Sequence, residues 1–176
     1  MQNNSNNIKI MLEGALCIAL AVVLDKFNLF RMPNGGSIDW ELVPLIIFAW
    51  RHGLKWGLSV GALTGVTQFL LSPYYVHPIQ VIADYPLASC CVGLAGLALF
   101  KNFNINKILG IILAGACQIA CHTFSGAVFF AQYAPAGQNP WVYSMLYNIP
   151  VMSVKYILSG VTAFMLYKAL NKVFKY

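Results

Sequence analysis

Apolar residues in this chain run in long continuous stretches, and the few charges fall between them. The runs are roughly 17 to 25 residues long, enough to cross about 30 Å of hydrocarbon as a helix. They do not alternate with period two, so they predict helices rather than strands. Six helices are expected, over residues 8–23, 41–50, 54–71, 78–100, 107–132 and 141–173. A loop at 25–40 carries the turn signal Pro33-Asn34-Gly35-Gly36, and Arg51-His52-Gly53 ends the short second helix. Ser72-Pro73 ends the third.

Composition agrees with this pattern. Apolar residues make up 59% of the 176 positions and charged residues 9%, against about 25% charged in soluble domains. In lipid every backbone polar group must be satisfied within the chain, which only helices or closed barrels achieve, and the continuous runs select helices. The fold class is therefore all-α, a polytopic membrane protein forming a single domain over residues 1–176. The Asn-rich start precedes an apolar run that carries Glu13 and shows no small-residue cleavage site, so it reads as a retained first helix.

The net charge of +6 comes from basic residues at helix ends, not from a basic stripe, so it marks membrane topology and not nucleic-acid binding. Lys9, Arg51, Lys55, Lys101, Lys107, Lys168, Lys172 and Lys175 fall on one side, and Lys26 and Arg31 on the other. The positive-inside rule puts the first group and both termini in the cytoplasm. Cys17, Cys90, Cys91, Cys117 and Cys121 all lie within apolar runs and read as buried small residues.

This orientation sorts the polar groups by depth. Asp84 and Asn148 fall about two turns inside the outer end of their helices, with His122 somewhat deeper. Tyr74, Tyr75, Tyr85, Tyr133, Tyr143 and Tyr147 crowd the same outer half. An ionisable group at that depth costs a few kcal/mol and faces the bundle interior or a wet cavity. Asp84 is either a structural acid held by a neighbouring Lys or Tyr, or the counter-charge of a cationic ligand. Some of the tyrosines belong to the interfacial belt. Together with a carboxylate, an imidazole and an Asn, they suit a flat, cationic, hydrogen-bonding molecule. Cys117, Cys121 and His122, with Cys90 and Cys91, do not follow a familiar metal-ligand spacing.

There is no phosphate-binding loop for ATP, no Ser-His-Asp or Cys-His arrangement, and no carboxylate pair on one helix face. These observations favour a binding protein over an enzyme, with no catalytic residues and no cofactor. Small residues recur at Ala15-x-x-x-Ala19 in the first helix and at Gly57, Gly61 and Gly65 in the third. Such spacing permits close helix approach, internal or with a partner.

The chain resembles the thiamine-specific S components, the substrate-binding subunits of energy-coupling factor (ECF) vitamin transporters. The resemblance covers nearly the whole sequence. It rests on Met32-Pro33-Asn34-Gly35-Gly36-Ser37, on His77-Pro78-Ile79-Gln80 followed by Asp84-Tyr85, and on His122-x-x-Ser125-Gly126-Ala127-Val128-Phe129-Phe130. It also rests on Gln132-Tyr133-Ala134-Pro135-x-Gly137 and on Trp141-x-Tyr143-Ser144-x-x-x-Asn148.

The resemblance implies the six-helix S-component fold, with thiamine bound near the outer face under a lid formed by the first loop. It assigns ligand contacts to Asp84, Tyr85, His122, Gly126, Phe130, Tyr143, Ser144 and Asn148. It places Ala15 and Ala19 against the transmembrane coupling subunit of a complex that also holds two ATPases. Three features depart from the family pattern. Asp84 stands where some relatives have Glu, and Phe130 where Trp is common. Gly35-Gly36 stands where some have a lid Trp. Gly36, Asp39 and Trp40 are the lid candidates, Trp40 as the substitute for the missing lid Trp. Lys155, deep in the sixth helix, lies outside the family pattern and is expected to snorkel inward or pair with Glu13.

The expected function is capture of thiamine from outside the cell. The rivals are an S component for another vitamin or a thiamine precursor, a small metal-binding membrane protein, and a purely structural subunit. An Asp84 turned toward an internal lysine, with no cavity beside it, would remove the basis for thiamine capture.

Overall fold

The computed structural model describes residues 2–98 and 102–174. The first helix, α1 (Gln2–Leu24), begins earlier than its apolar run because the Asn-rich segment continues the helix. A small antiparallel hairpin follows, β1 (Phe30–Arg31) and β2 (Ser37–Ile38), with Phe30 opposite Ile38 and Arg31 opposite Ser37. Gly35 (φ 94°) and Gly36 (φ 87°) turn its tip in the left-handed region that glycine enters without a Cβ penalty.

The expected second and third helices are one element, α2 (Leu42–Leu71), broken at Gly53 (φ 79°, ψ −178°). The predicted boundary was placed correctly, but a single glycine makes the turn and no loop intervenes. Five long helical elements therefore stand among the described residues where six were expected. The part of α2 after Gly53 extends about 27 Å at 1.5 Å per residue, nearly the thickness of a hydrocarbon core.

The next element, α3 (Pro78–Gly96), is composite. An α-helical turn Pro78–Ile82 passes into a π-helical turn Ala83–Leu87, then a short α-helical stretch Ala88–Cys91 and a 3-10 end Val92–Gly96. Pro86 lies inside the π turn; it has no N–H to give to the carbonyl four residues back, so the ladder widens there. The expected end of this helix at Phe100 lies outside the described residues, as do Lys101 and Lys175 of the basic end. The last two helices are α4 (Phe103–Phe129) and α5 (Pro140–Phe174). Asn102 caps α4, its side chain accepting from the N–H groups of Asn104 and Ile105. Four helices, α1, α3, α4 and α5, are long and apolar enough to cross a membrane.

The outside of the bundle is apolar, with Leu12, Leu16, Leu70 and Ile157 exposed, as lipid contact requires. The core is built on the first half of α2, where Leu42, Ile46 and Phe48 are fully buried. Gly57, Gly61 and Gly65 of α2 face the backbone of α3. A Cβ at Gly57 would lie 3.0 Å from the Gly93 carbonyl oxygen, and one at Gly65 would strike the Tyr85 carbonyl. The glycine stripe is thus internal packing, and it fixes the height of Asp84 and Tyr85 against α2.

In α1, Gly14 packs on Val60 and Phe48, while Ala15 and Ala19 lie on the exposed face. Glu13 pairs with Arg51 (2.7 Å) and His52 (2.9 Å), which pins α1 to α2 just before the Gly53 break. The expected pairing of Glu13 with Lys155 does not form. Lys155 is wholly buried and bridges Asp39 (3.1 Å) and Glu41 (3.3 Å) instead, because its helix runs behind the foot of the hairpin.

Candidate ligand cavity

The site begins at the start of α3. The ring of His77 caps the helix by accepting from the Ile79 N–H at 3.1 Å. Gln80 and Asp84 are four residues apart and so share a face. Gln80 Nε2 donates to Asp84 Oδ2 at 2.9 Å, while Gln80 Oε1 accepts from the Val76 N–H at 3.1 Å. From α4, Ser125 Oγ donates to the same carboxylate oxygen at 2.6 Å, and His122 Nδ1 lies 3.2 Å from Oδ1. A carboxylate only accepts, so this last bond places a proton on Nδ1. Asp84 is held by an amide, a hydroxyl and an imidazole, and it is not turned toward an internal lysine.

Beside it lies a cavity of about 610 Å³ between the hairpin and α2 to α5. Of the ligand residues expected from the sequence, all eight line it: Asp84, Tyr85, His122 and Gly126, and with them Phe130, Tyr143, Ser144 and Asn148. Gly126 allows α4 and α5 to meet, since a Cβ there would strike Ser144 Oγ. The Ser144 hydroxyl donates to the Thr123 carbonyl at 2.9 Å, and Asn148 Nδ2 donates to the Ser144 carbonyl at 2.9 Å. With its amino group directed at both the carbonyl and the hydroxyl of Ser144, the Asn148 amide presents its oxygen as the acceptor. Ser144 thereby serves chiefly to orient Asn148.

Phe130 stands at the end of α4 between two tyrosines. Its ring stacks on Tyr74 at 5.9 Å and on Tyr133 at 6.2 Å between centroids. The neighbouring Tyr133 phenol raises the Tyr74 phenol above its ordinary value. Three aromatic rings are thus gathered at this end of the cavity. Tyr85 anchors the same wall, its hydroxyl donating to the Ser72 carbonyl (3.3 Å) and accepting from the Tyr74 N–H (3.1 Å).

The hairpin closes the cavity from above. The Asn34 N–H donates to the Tyr147 hydroxyl at 3.0 Å, and that hydroxyl donates to the Gly35 carbonyl at 3.0 Å. Asn34 Nδ2 reaches the Tyr143 hydroxyl at 3.4 Å. Gly36 lines the cavity as expected of the lid. Trp40 does not act there: it packs against the hydrophobic core, because the chain turns inward between β2 and α2. Asp39 is buried beneath the hairpin, accepting from Ser37 Oγ at 2.6 Å and from the Glu41 N–H at 2.9 Å. Glu41, Lys155, Gln68 and Ser89 form a polar floor, with Gln68 Nε2 donating to Glu41 Oε2 at 3.2 Å and Ser89 Oγ donating to Gln68 Oε1 at 3.3 Å.

Sequence reasoning gave no ligand-site role to Gln68, Gln80, Asn34, Tyr147 or Lys155. Gln80 had a signal, its four-residue spacing from Asp84, and Tyr147 the same spacing from Tyr143. Asn34 had its place in the lid motif Pro33-Asn34-Gly35-Gly36, and Gln68 had none. The cysteine and His122 set considered for metal does not converge. Among the described residues the one converging acidic group is Asp25, Asp39 and Glu41, and the Lys155 ammonium sits against two of its members.

The thiamine transporter protein family (Thia_YuaJ) matches residues 11–175. The chain belongs to this family. It is 29% identical to the thiamine transporter ThiT of Bacillus subtilis (strain 168), over 98% of this chain and 97% of that one. It is 30% identical to the ThiT of Lacticaseibacillus paracasei, over 79% of this chain and 77% of that one. The solved ThiT of Listeria monocytogenes superposes with a TM-score of 0.84 at 25% identity, covering 96% of this chain and 98% of its own. A solved S component of a bacterial ECF transporter shares the fold with a TM-score of 0.65 at 20% identity, each chain fully covered. The fold is that of the ECF S components, and the protein is a membrane protein of a transporter family.

Proposed function

We propose that this chain captures thiamine at the outer face of a bacterial cell membrane, as the S component of an ECF transporter. The observation that carries the proposal is Asp84, a carboxylate on the cavity wall whose partners are Gln80, Ser125 and His122. An amide, a hydroxyl and an imidazole orient this carboxylate, and none of them is a lysine or arginine, so it is set to offset the fixed positive charge of a thiazolium. His122 and Tyr85 pack around that ring. The aminopyrimidine enters the aromatic wall of Phe130, Tyr74 and Tyr133 and hydrogen-bonds with Asn148 and Tyr143, Ser144 holding Asn148 in place. The names of the relatives in two bacterial species point to the same vitamin.

The concentration of Lys and Arg at the end opposite the hairpin supports a cytoplasmic location for that end and for both termini. The helices of this chain carry no ATP-binding loop, so transport would draw on a separate coupling subunit and two ATPases. The exposed Ala15 and Ala19 face of α1 is the proposed contact with that coupling subunit.

The test is mass spectrometry of small molecules released from detergent-purified protein, followed by titration calorimetry. Released thiamine and saturable one-to-one binding, with no heat from riboflavin, support the proposal. Riboflavin binding in place of thiamine would overturn it, since a neutral ligand has no use for Asp84.

A further inference from the structure

α5 holds the hairpin at two heights. At the tip, the Tyr147 hydroxyl exchanges hydrogen bonds with Asn34 and Gly35 at an exposed position. About 12 Å further along the same helix axis, Lys155 holds the foot through Asp39 Oδ2 at 3.1 Å, where Asp39 is 1% exposed and Lys155 6%. The same ammonium reaches Glu41 Oε2 at 3.3 Å, one residue before α2 begins. The tip is neutral, wet and turned by two glycines. The foot is charged and buried.

Neutral bonds open to water exchange at little cost. Pulling the Asp39 carboxylate off the buried ammonium strands its charge away from water, which costs several times more. A buried ion pair is seldom better for stability than apolar side chains of the same size. What the pair adds is one fixed geometry for the residue it holds.

We infer that Lys155 is the fixed anchor of the lid. The hairpin opens by releasing Tyr143 and Tyr147 at its tip and pivots about Asp39, whose position Lys155 sets. The anchor returns Asn34 and Gly35 to the same place at each closure and so slows ligand escape. Lys155 and Glu41 also line the cavity floor, which places the anchor within reach of what the lid encloses. Lys155 is in this sense a positioning residue, acting through Asp39. The ligand part of the inference rests on the thiamine reading above; the mechanical part does not.

The experiment compares native protein with Lys155→Arg and with the triple variant K155M/D39N/E41Q in detergent. The triple variant removes every charge of the anchor together, so no unpaired ion remains to prevent folding. Hydrogen–deuterium exchange is followed in ligand-free protein, and release of labelled thiamine in loaded protein. The anchor predicts that exchange over residues 28–41 accelerates about tenfold in the triple variant while α2 and α5 keep their protection. Thiamine release should accelerate by a similar factor, as differences among related complexes fall mainly on release. Lys155→Arg, which keeps the charge, should leave both close to native. Unchanged exchange over 28–41, or an equal rise throughout α2 and α5, would overturn the anchor. If native protein binds no thiamine, the ligand reading falls, and the exchange arm still decides the anchor.

Discussion

Ser125 Oγ donates to Asp84 Oδ2 at 2.6 Å, joining α4 to the π-helical turn of α3 at the level of the cavity. Gln80 brings a second donor to the same oxygen, so one carboxylate oxygen is committed to neutral partners while the other faces His122. The carboxylate is thus held on the cavity wall, and none of these partners is a lysine or arginine that would pair with its charge.

Asp84→Asn keeps the shape and removes that charge. Losing a desolvated charge interaction costs about 2 to 5 kcal/mol, roughly thirtyfold to several-thousandfold in affinity. Titration of thiamine against the purified variant should show this loss, with helical content unchanged by circular dichroism. Affinity within threefold of native would remove Asp84 from the site.

Gly126→Ala tests the crossing of α4 and α5. The new Cβ would strike Ser144 Oγ and stand 3.8 Å from Asn148 Nδ2. Overpacking of this kind costs about 1 to 3 kcal/mol. The thermal midpoint should fall, and thiamine affinity should fall further than the midpoint alone explains, because Asn148 is displaced. Native affinity in a folded Gly126→Ala protein would show that Asn148 does not meet the ligand.

Gly65→Ala acts at a distance. Its Cβ would meet the Tyr85 carbonyl and the Pro86 Cα, so α2 and α3 must separate at the π turn. We expect a loss of at least about 2 kcal/mol in stability, with Asp84 shifted from Ser125. Unfolding in detergent by far-UV circular dichroism measures it; a midpoint equal to native would mean the helices part without strain.

Tyr147→Phe removes the hydroxyl that bonds Asn34 and Gly35 and leaves the ring in place. Exposed neutral hydrogen bonds contribute about 0.5 to 1.5 kcal/mol each. Thiamine should dissociate about threefold to tenfold faster by stopped-flow displacement. A release rate unchanged by the substitution would mean that the hairpin tip does not limit escape.

The sequence by itself determined the membrane class, the positions of most of the helices and the conspicuous polar residues within them, Asp84, His122 and Asn148. Hydrocarbon thickness sets the length of a helix, and a charge inside it is conspicuous whatever the helix packs against. It also located the break at Gly53, because Arg51-His52-Gly53 interrupts an apolar run. The family motifs carried the eight cavity residues, all of which the fold brings together. Only the tertiary structure decided the partners. Lys155 meets Asp39 and Glu41 rather than Glu13, Trp40 turns into the core, and Ser144 bonds a backbone carbonyl while Ser125 and Gln80 hold the acid. Those choices depend on how each helix is rotated and how closely glycines let neighbours approach, and neither quantity is written in the spacing of residues along one chain.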